Sequence, residues 1–313
     1  MSNGPRLTHG SFEAFRRRMQ MSTHRSFIFI EGCKDRYFYG QVCEAVCRRQ
    51  SIQYQLCLAH EISGTKGGKQ VLLDFFTYLE DIGALADDFK GKRTVAIFFL
   101  DKDVDDFLDT CRMSEHIVYT QFYSVENHLI ANGDLVRALA AAATLDEALV
   151  RRSLTSGNTA WRRDAAGYWK DWTKLCLFTR VRDLRHQCNY RVGCSRINNR
   201  AYAPVDAQAH TAQLGQLQRA SGLTPLGFKR VFGRVSRLVD RLFEEGNHDL
   251  VFNGKWYLLF LSEAAARIAA GRPYNRNGLP DRIFSCLQHG LNFRGRWALH
   301  FKRPLEAVLR NAA

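Results

Sequence analysis

Two apolar runs that end in acid constrain this 313-residue chain more than any other feature. They are "SFIFIEG" (Ser26–Gly32) and "RTVAIFFLD" (Arg93–Asp101). Short continuous runs of β-branched and aromatic residues, closed by Gly or a polar residue, read as strands buried on both faces. "YQLCLAH" (Tyr54–His60) reads as a further strand, and "IVYTQFYSVEN" (Ile117–Asn127) as the last of four. Between them lie segments with helical spacing. "SFEAFRRRMQ" has Ser11 placed as N-cap, and "DRYFYGQVCEAVCRR" (Asp35–Arg49) has Asp35 near its start. "GGKQVLLDFFTYLEDIG" (Gly67–Gly83) is helical in the same way, and a short helix is expected after Asp101. Alternation of this kind predicts βαβ units and a mostly parallel sheet flanked by helices. From about residue 128 the pattern turns helical and Arg-rich. The reading is an α/β domain over residues 1–135, followed over 136–313 by a mainly α-helical, basic domain that binds substrate or partner.

Charge supports the same division. Residues 1–135 hold 16 Lys and Arg against 18 Asp and Glu, a net of −2, whereas residues 136–313 hold 29 against 13, a net of +16. Such an excess suits a polyanionic partner, most simply nucleic acid. Nine scattered cysteines, an odd number, fit reduced thiols better than a disulfide framework. No apolar run approaches the ~20 residues that span a bilayer. The polar opening "MSNGPRLTHG" does not have the pattern of a signal peptide. The expectation is a cytoplasmic protein without a membrane role.

In a parallel α/β sheet, ligands sit beyond the carboxyl ends of the strands. Glu31 ends the first strand, Asp101 the third with Asp103 two residues later, and Glu126 the fourth. These acids are expected at one sheet edge although 70 residues separate Glu31 from Asp101. Gathered carboxylates repel unless a cation lies among them, and Mg²⁺ accepts one or two protein carboxylates plus waters and phosphates. Gly32 is expected to allow a sharp turn after Glu31 and a close approach of phosphate. Asp105, Asp106 and Asp109 read as a solvated helix face favoured by the helix dipole, and Asp35 as the cap of its helix or a residue within reach of the metal shell.

The pair "FIFIEGCKD" (Phe27–Asp35) and "AIFFLDKD" (Ala96–Asp103) resembles the signature of TOPRIM proteins, Glu-Gly after one strand and Asp-x-Asp after a later one. With "YSVENHLI" (Tyr123–Ile130) and "FNGKWYLLFL" (Phe252–Leu261), the chain is similar to TOPRIM-like effectors paired with an ABC-type ATPase in anti-phage defence, the AriB component of PARIS systems. The resemblance implies a TOPRIM-like sheet and a metal-dependent endonuclease cutting RNA, most simply tRNA, to stop translation. It also implies an ATPase sensor that holds the effector inactive, and a homodimer on release. On this resemblance Glu31 is the acid–base residue or a ligand, and Asp101 and Asp103 are ligands to one or two Mg²⁺ ions, with Mn²⁺ as a substitute. Glu126 is a further ligand, orienting group or helix cap. Lys255 contacts the scissile phosphate or ends a turn.

Other motifs are weaker. "SGTKGGKQ" (Ser63–Gln70) is one residue short of a phosphate loop, and Gln70 stands where Ser or Thr would bind Mg²⁺. Lys66 and Lys69 there are expected to meet phosphate. Arg180, Arg182, Arg185, Arg191, Arg196 and Arg200, preceded by Trp161, Trp169 and Trp172, suit RNA phosphates and stacked bases unless the tryptophans are core. Cys176, His186, Cys188 and Cys194 have the chemistry for zinc but no Cys-x-x-Cys spacing, so ordinary cysteines are the simpler reading. Rival functions are a DNA nuclease of OLD type, a non-catalytic subunit that docks on the ATPase and, more distantly, a primase-like polymerase.

Overall fold

A computed structural model describes residues 11–64, 67–154 and 157–312. It is an α/β protein whose chain forms two compact units. Unit 1 comprises residues 1–102, 111–121 and 293–313, and unit 2 residues 103–110 and 122–292. No single cut in the sequence produces this partition.

Unit 1 holds the sheet. Its elements are α1 (Phe12–Met21), β1 (Ser26–Ile30), α2 (Arg36–Cys47), β2 (Tyr54–Leu58), α3 (Ala59–Ser63), α4 (Lys69–Asp81), β3 (Ala86–Phe89), β4 (Lys92–Leu100) and β5 (Ile117–Tyr119). The strand order is β2-β1-β4-β3, with β5 also paired to β4. β1 runs parallel to β2 and β4, and β5 runs parallel to β4. β3 is the antiparallel exception, and its pairs (Val95 to Lys92) leave the far end of the same β4 edge (Phe98 to Leu100) to β5. Every residue of β1 and Thr94–Leu100 of β4 is buried, as their unbroken apolar runs require. On one face Phe29 stacks on Phe98 at 4.7 Å and meets Phe75 of α4 and Phe15 of α1. On the other, Tyr39 of α2 stacks on Phe99 at 4.6 Å. Each such ring contributes roughly 1.5–3 kcal/mol by leaving water.

The second face is completed from the far end of the chain. The last helix, residues 299–312, packs Phe301 against Phe38, Tyr39 and Phe99. Its start is fixed by the His300 imidazole, whose Nε2 lies 2.8 Å from the Tyr119 carbonyl oxygen.

Among the described residues the regular elements of unit 2 are all helical. They are α5 (Val125–Asn132), α6 (Leu135–Ala143), α7 (Glu147–Ser153), α8 (Gly157–Tyr168), α9 (Lys170–Val181), α10 (Ala207–Ser221), α11 (Pro225–Glu244), α12 (Gly254–Ala269) and α13 (Leu279–Gly290); the last helix, α14 (Leu299–Ala312), belongs to unit 1. Among the described residues no helix is long and apolar enough to cross a membrane.

Two readings of local structure are corrected. The expected fourth strand stops at Tyr119, because Ser124 and Asn127 form a capping box that starts α5 at Val125. The fourth strand read to Asn127 therefore contains a loop and a helix start. β3 appears where no strand was expected, joined to β4 by Lys90 and Gly91, both at positive φ. The contrast of net charge between sequence halves does not carry over to the two units. Unit 1 has 21 Lys and Arg against 13 Asp and Glu, a net of +8, and unit 2 has 24 against 18, a net of +6. Basic residues 293–313 return to unit 1, while the acids of 103–109 go to unit 2.

Candidate functional site

In unit 1, β1 and β4 are neighbours in parallel register, with Ile30 opposite Phe99. The residues that follow the two strands therefore emerge side by side. The backbone N–H of Asp101 donates to Glu31 Oε1 at 2.8 Å, and both residues are partly exposed. β5 supports the same edge: the Lys102 N–H donates to the Thr120 hydroxyl at 2.8 Å, and the Thr120 N–H to the Leu100 carbonyl. Thr120 was not anticipated, since its role depends on β5 ending level with β4. The chain bends at Glu31 and enters a short helical turn over Cys33–Asp35, but Gly32 has φ −125°, an extended geometry open to any residue, so the turn does not depend on glycine's conformational freedom. What restricts position 32 is space. An added Cβ would lie 3.1 Å from Asp35 Oδ2. Asp35 precedes α2, but its side chain makes no capping hydrogen bond.

Asp103 belongs to unit 2, where its N–H donates to the Tyr123 carbonyl at 2.8 Å and its φ is +53°. Asp tolerates this left-handed geometry better than most residues. Asp105 departs from the expected solvated face. It is buried at 5% exposure, and Oδ1 lies 3.5 Å from an Arg180 guanidinium nitrogen. Asp106 and Asp109 are exposed.

The segments Tyr123–Ile130 and Phe252–Leu261, more than 120 residues apart, meet inside unit 2. Asn127 Nδ2 donates to the Phe252 carbonyl at 3.0 Å and to Asp249 Oδ1 at 3.1 Å. Gly254 begins α12 so close to α5 that an added Cβ would sit 2.6 Å from Asn127 N and 2.7 Å from Glu126 Cβ. Glu126 is buried, accepts the Ser124 hydroxyl at 2.6 Å and has Lys255 Nζ at 3.9 Å. The Lys255 side chain is 68% exposed. Asp249 closes the network, accepting from the Tyr257 hydroxyl at 2.8 Å and pairing with Arg162. Burial, then the charge of Asp249, hold the Tyr257 hydroxyl well above its ordinary pKa. Neither Asp249 nor Arg162 carries a local sequence signal, because their partnership is made by folding.

Lys69 opens α4 behind Gly68, whose φ of +93° requires glycine. Lys66 lies outside the described residues. Arg180, Arg182, Arg185, Arg191, Arg196 and Arg200 are exposed. The tryptophans before them are not stacking platforms: Trp161 is 6% exposed, Trp169 2% and Trp172 0%. Their rings belong to the helical core of unit 2, with Trp169 against Trp256 and Phe260. The Cys188 thiol donates to Gln213 Oε1 at 3.0 Å, and the Cys188 N–H to His186 Nδ1. Burial pushes the Cys188 thiol up to about 12. Cys194 is exposed and Cys176 fully buried.

Among the described residues no group of three or more His, Cys, Asp and Glu is placed to hold a metal ion. Glu31 and Asp101 follow adjacent parallel strands, and Mg²⁺ commonly takes one or two carboxylates from a protein. Their hard oxygen donors and partial exposure fit that cation. A scan against family models gives no match for this chain, and a search of curated proteins gives none.

Proposed function

We propose that this protein is a Mg²⁺-dependent endonuclease of TOPRIM-like type that cuts RNA, most simply tRNA. One observation carries the reading: Glu31 and Asp101 stand together at the carboxyl ends of adjacent parallel strands, linked at 2.8 Å. Glu31 and Asp101 would hold the cation, and Asp103, two residues further along the chain, is the third acid of the signature. When bound, the cation would neutralise phosphate charge and lower the pKa of an attacking water. Glu31 accepts the proton of that water through a carboxylate oxygen. The Asp101 N–H holds Glu31 in place for this, which limits the reorganisation needed as charge moves. Lys255, mostly exposed at the start of α12, pairs with a phosphate oxygen of the substrate, and Glu126 steadies its ammonium from 3.9 Å. Lys66, Lys69 and the arginines from Arg180 to Arg196 contribute backbone contacts.

The resemblance to PARIS-type effectors adds the biological setting: an ABC-type ATPase sensor restrains the protein, and its release shuts off translation. The test is cleavage of purified tRNA, plasmid and single-stranded DNA by the full chain with Mg²⁺. Wild type should cut tRNA, and Glu31→Gln should cut it at least about 100-fold more slowly, the usual share of a general acid–base group. Equal rates in wild type and a folded Glu31→Gln protein would reject the assignment. Cleavage of DNA alone would replace RNA as the substrate.

A further inference from the structure

Several exposed arginines on the helices of this protein have a glutamate one turn before them. Arg17 pairs with Glu13 at 2.9 Å, Arg151 with Glu147 at 2.6 Å, and Arg267 with Glu263 at 2.9 Å, each at i,i+4. α11 is built differently. Its sequence, "PLGFKRVFGRVSRLVDRLFE", places Arg230, Arg234, Arg237 and Arg241 at i, i+4, i+7 and i+11. At 3.6 residues per turn these four fall within an arc of about 60° and extend over about 16 Å of helix. All four are exposed, and among the described residues none forms an ion pair. The acid nearest to them in the helix is committed elsewhere: Asp240 lies 2.5 Å from Lys170 and 3.0 Å from Lys174.

The orientation of the stripe is set by the opposite face. Phe228 and Phe232 pack on Phe178 of α9 at 5.1 and 5.6 Å, and Val235, Val239 and Leu242 are buried. α11 cannot roll its arginines away without exposing that seam. Like charges at i,i+4 destabilise a helix by a few tenths of a kcal/mol per pair, here for Arg230 with Arg234 and Arg237 with Arg241. Evenly spaced guanidinium groups match a chain of phosphates, which Arg grips bidentately, and the exposed Glu244 and Glu245 lie only beyond the last of them, at i+3 and i+4 from Arg241. With net charge shared almost evenly between the two units, this stripe is a local concentration, not a reflection of a basic half.

We infer that the exposed face of α11 binds the phosphate backbone of RNA without reading sequence. The choice of RNA over DNA rests on the ribonuclease reading; the charge argument does not. The test is fluorescence anisotropy of a labelled RNA hairpin with the full chain, in EDTA so that cleavage plays no part, across a salt series. Replacing all four residues (R230Q, R234Q, R237Q, R241Q) should weaken binding on the order of 10²-fold. It should also flatten the slope of log affinity against log salt by roughly 3, at about 0.7 for each phosphate no longer neutralised. The control R17Q/R48Q should bind as wild type does. Circular dichroism should show both variants folded. An unchanged slope in the quadruple variant would overturn the inference, as would a wild type that prefers an acidic polypeptide or DNA to the hairpin. A chain that binds through α11 yet cleaves no RNA in Mg²⁺ would overturn the nuclease reading alone.

Discussion

Two sets of carboxylates, one in each unit, look alike in sequence and differ in what the fold does with them. In unit 1, Glu31 and Asp101 follow buried strands, remain partly exposed, and are tied by one backbone hydrogen bond. In unit 2, Glu126 and Asp249 are buried, at 5% and 3% exposure, among Ser124, Asn127, Tyr257 and Arg162. The first pair stands where a solvent-borne ligand can reach it. The second set joins α5 to the start of α12. An acid beside a family-like motif can thus be a structural rivet, and burial together with partners separates the two cases.

The largest effect that tests this contrast is expected at Asp249. Asp249→Ala leaves the Arg162 side chain, only 12% exposed, without its carboxylate, a loss of about 3–5 kcal/mol. Urea unfolding followed by tryptophan fluorescence reports on unit 2, which holds Trp161, Trp169, Trp172 and Trp256. A loss below about 1 kcal/mol would mean that the Asp249–Arg162 pair is dispensable. Gly254→Ala should cost less, about 1–3 kcal/mol, because its methyl group meets Asn127 backbone at 2.6 Å and α12 must shift. Wild-type stability in that variant would show that the α5–α12 contact is loose. Glu31→Gln should cost least, within about 1 kcal/mol by circular dichroism, since its amide oxygen can still accept the Asp101 N–H. A destabilisation matching that of Asp249→Ala would erase the distinction between the two regions.

The sequence revealed the centre of the sheet and little of its margins. β1 and β4 were legible because strands covered on both faces carry unbroken apolar runs, and their acidic ends follow from parallel pairing. β3 was hidden because an edge strand need not be apolar, and "ADDF" alternates exposed with half-buried residues. The start of α5 was hidden by "TQFYS", whose aromatic content imitates a strand although the capping box governs. The return of residues 293–313 to unit 1 had no local signal, since Phe301 finds Phe38 and Phe99 only through tertiary packing. The same is true of Asp249 and Arg162. At the site, Glu31 and Asp101 were readable as strand ends. The burial of Asp105 against Arg180 was not, because a run of aspartates looks solvated until its neighbours are known.

The central claim, that Glu31 and Asp101 together hold a divalent cation, is tested most directly by titrating the full chain with Mn²⁺ and following the free ion by electron paramagnetic resonance. Wild type is predicted to take up one or two ions, and Glu31→Gln and Asp101→Asn each to weaken that uptake at least about tenfold, the loss of one charged ligand from the set. Identical titrations for all three folded proteins would contradict the claim.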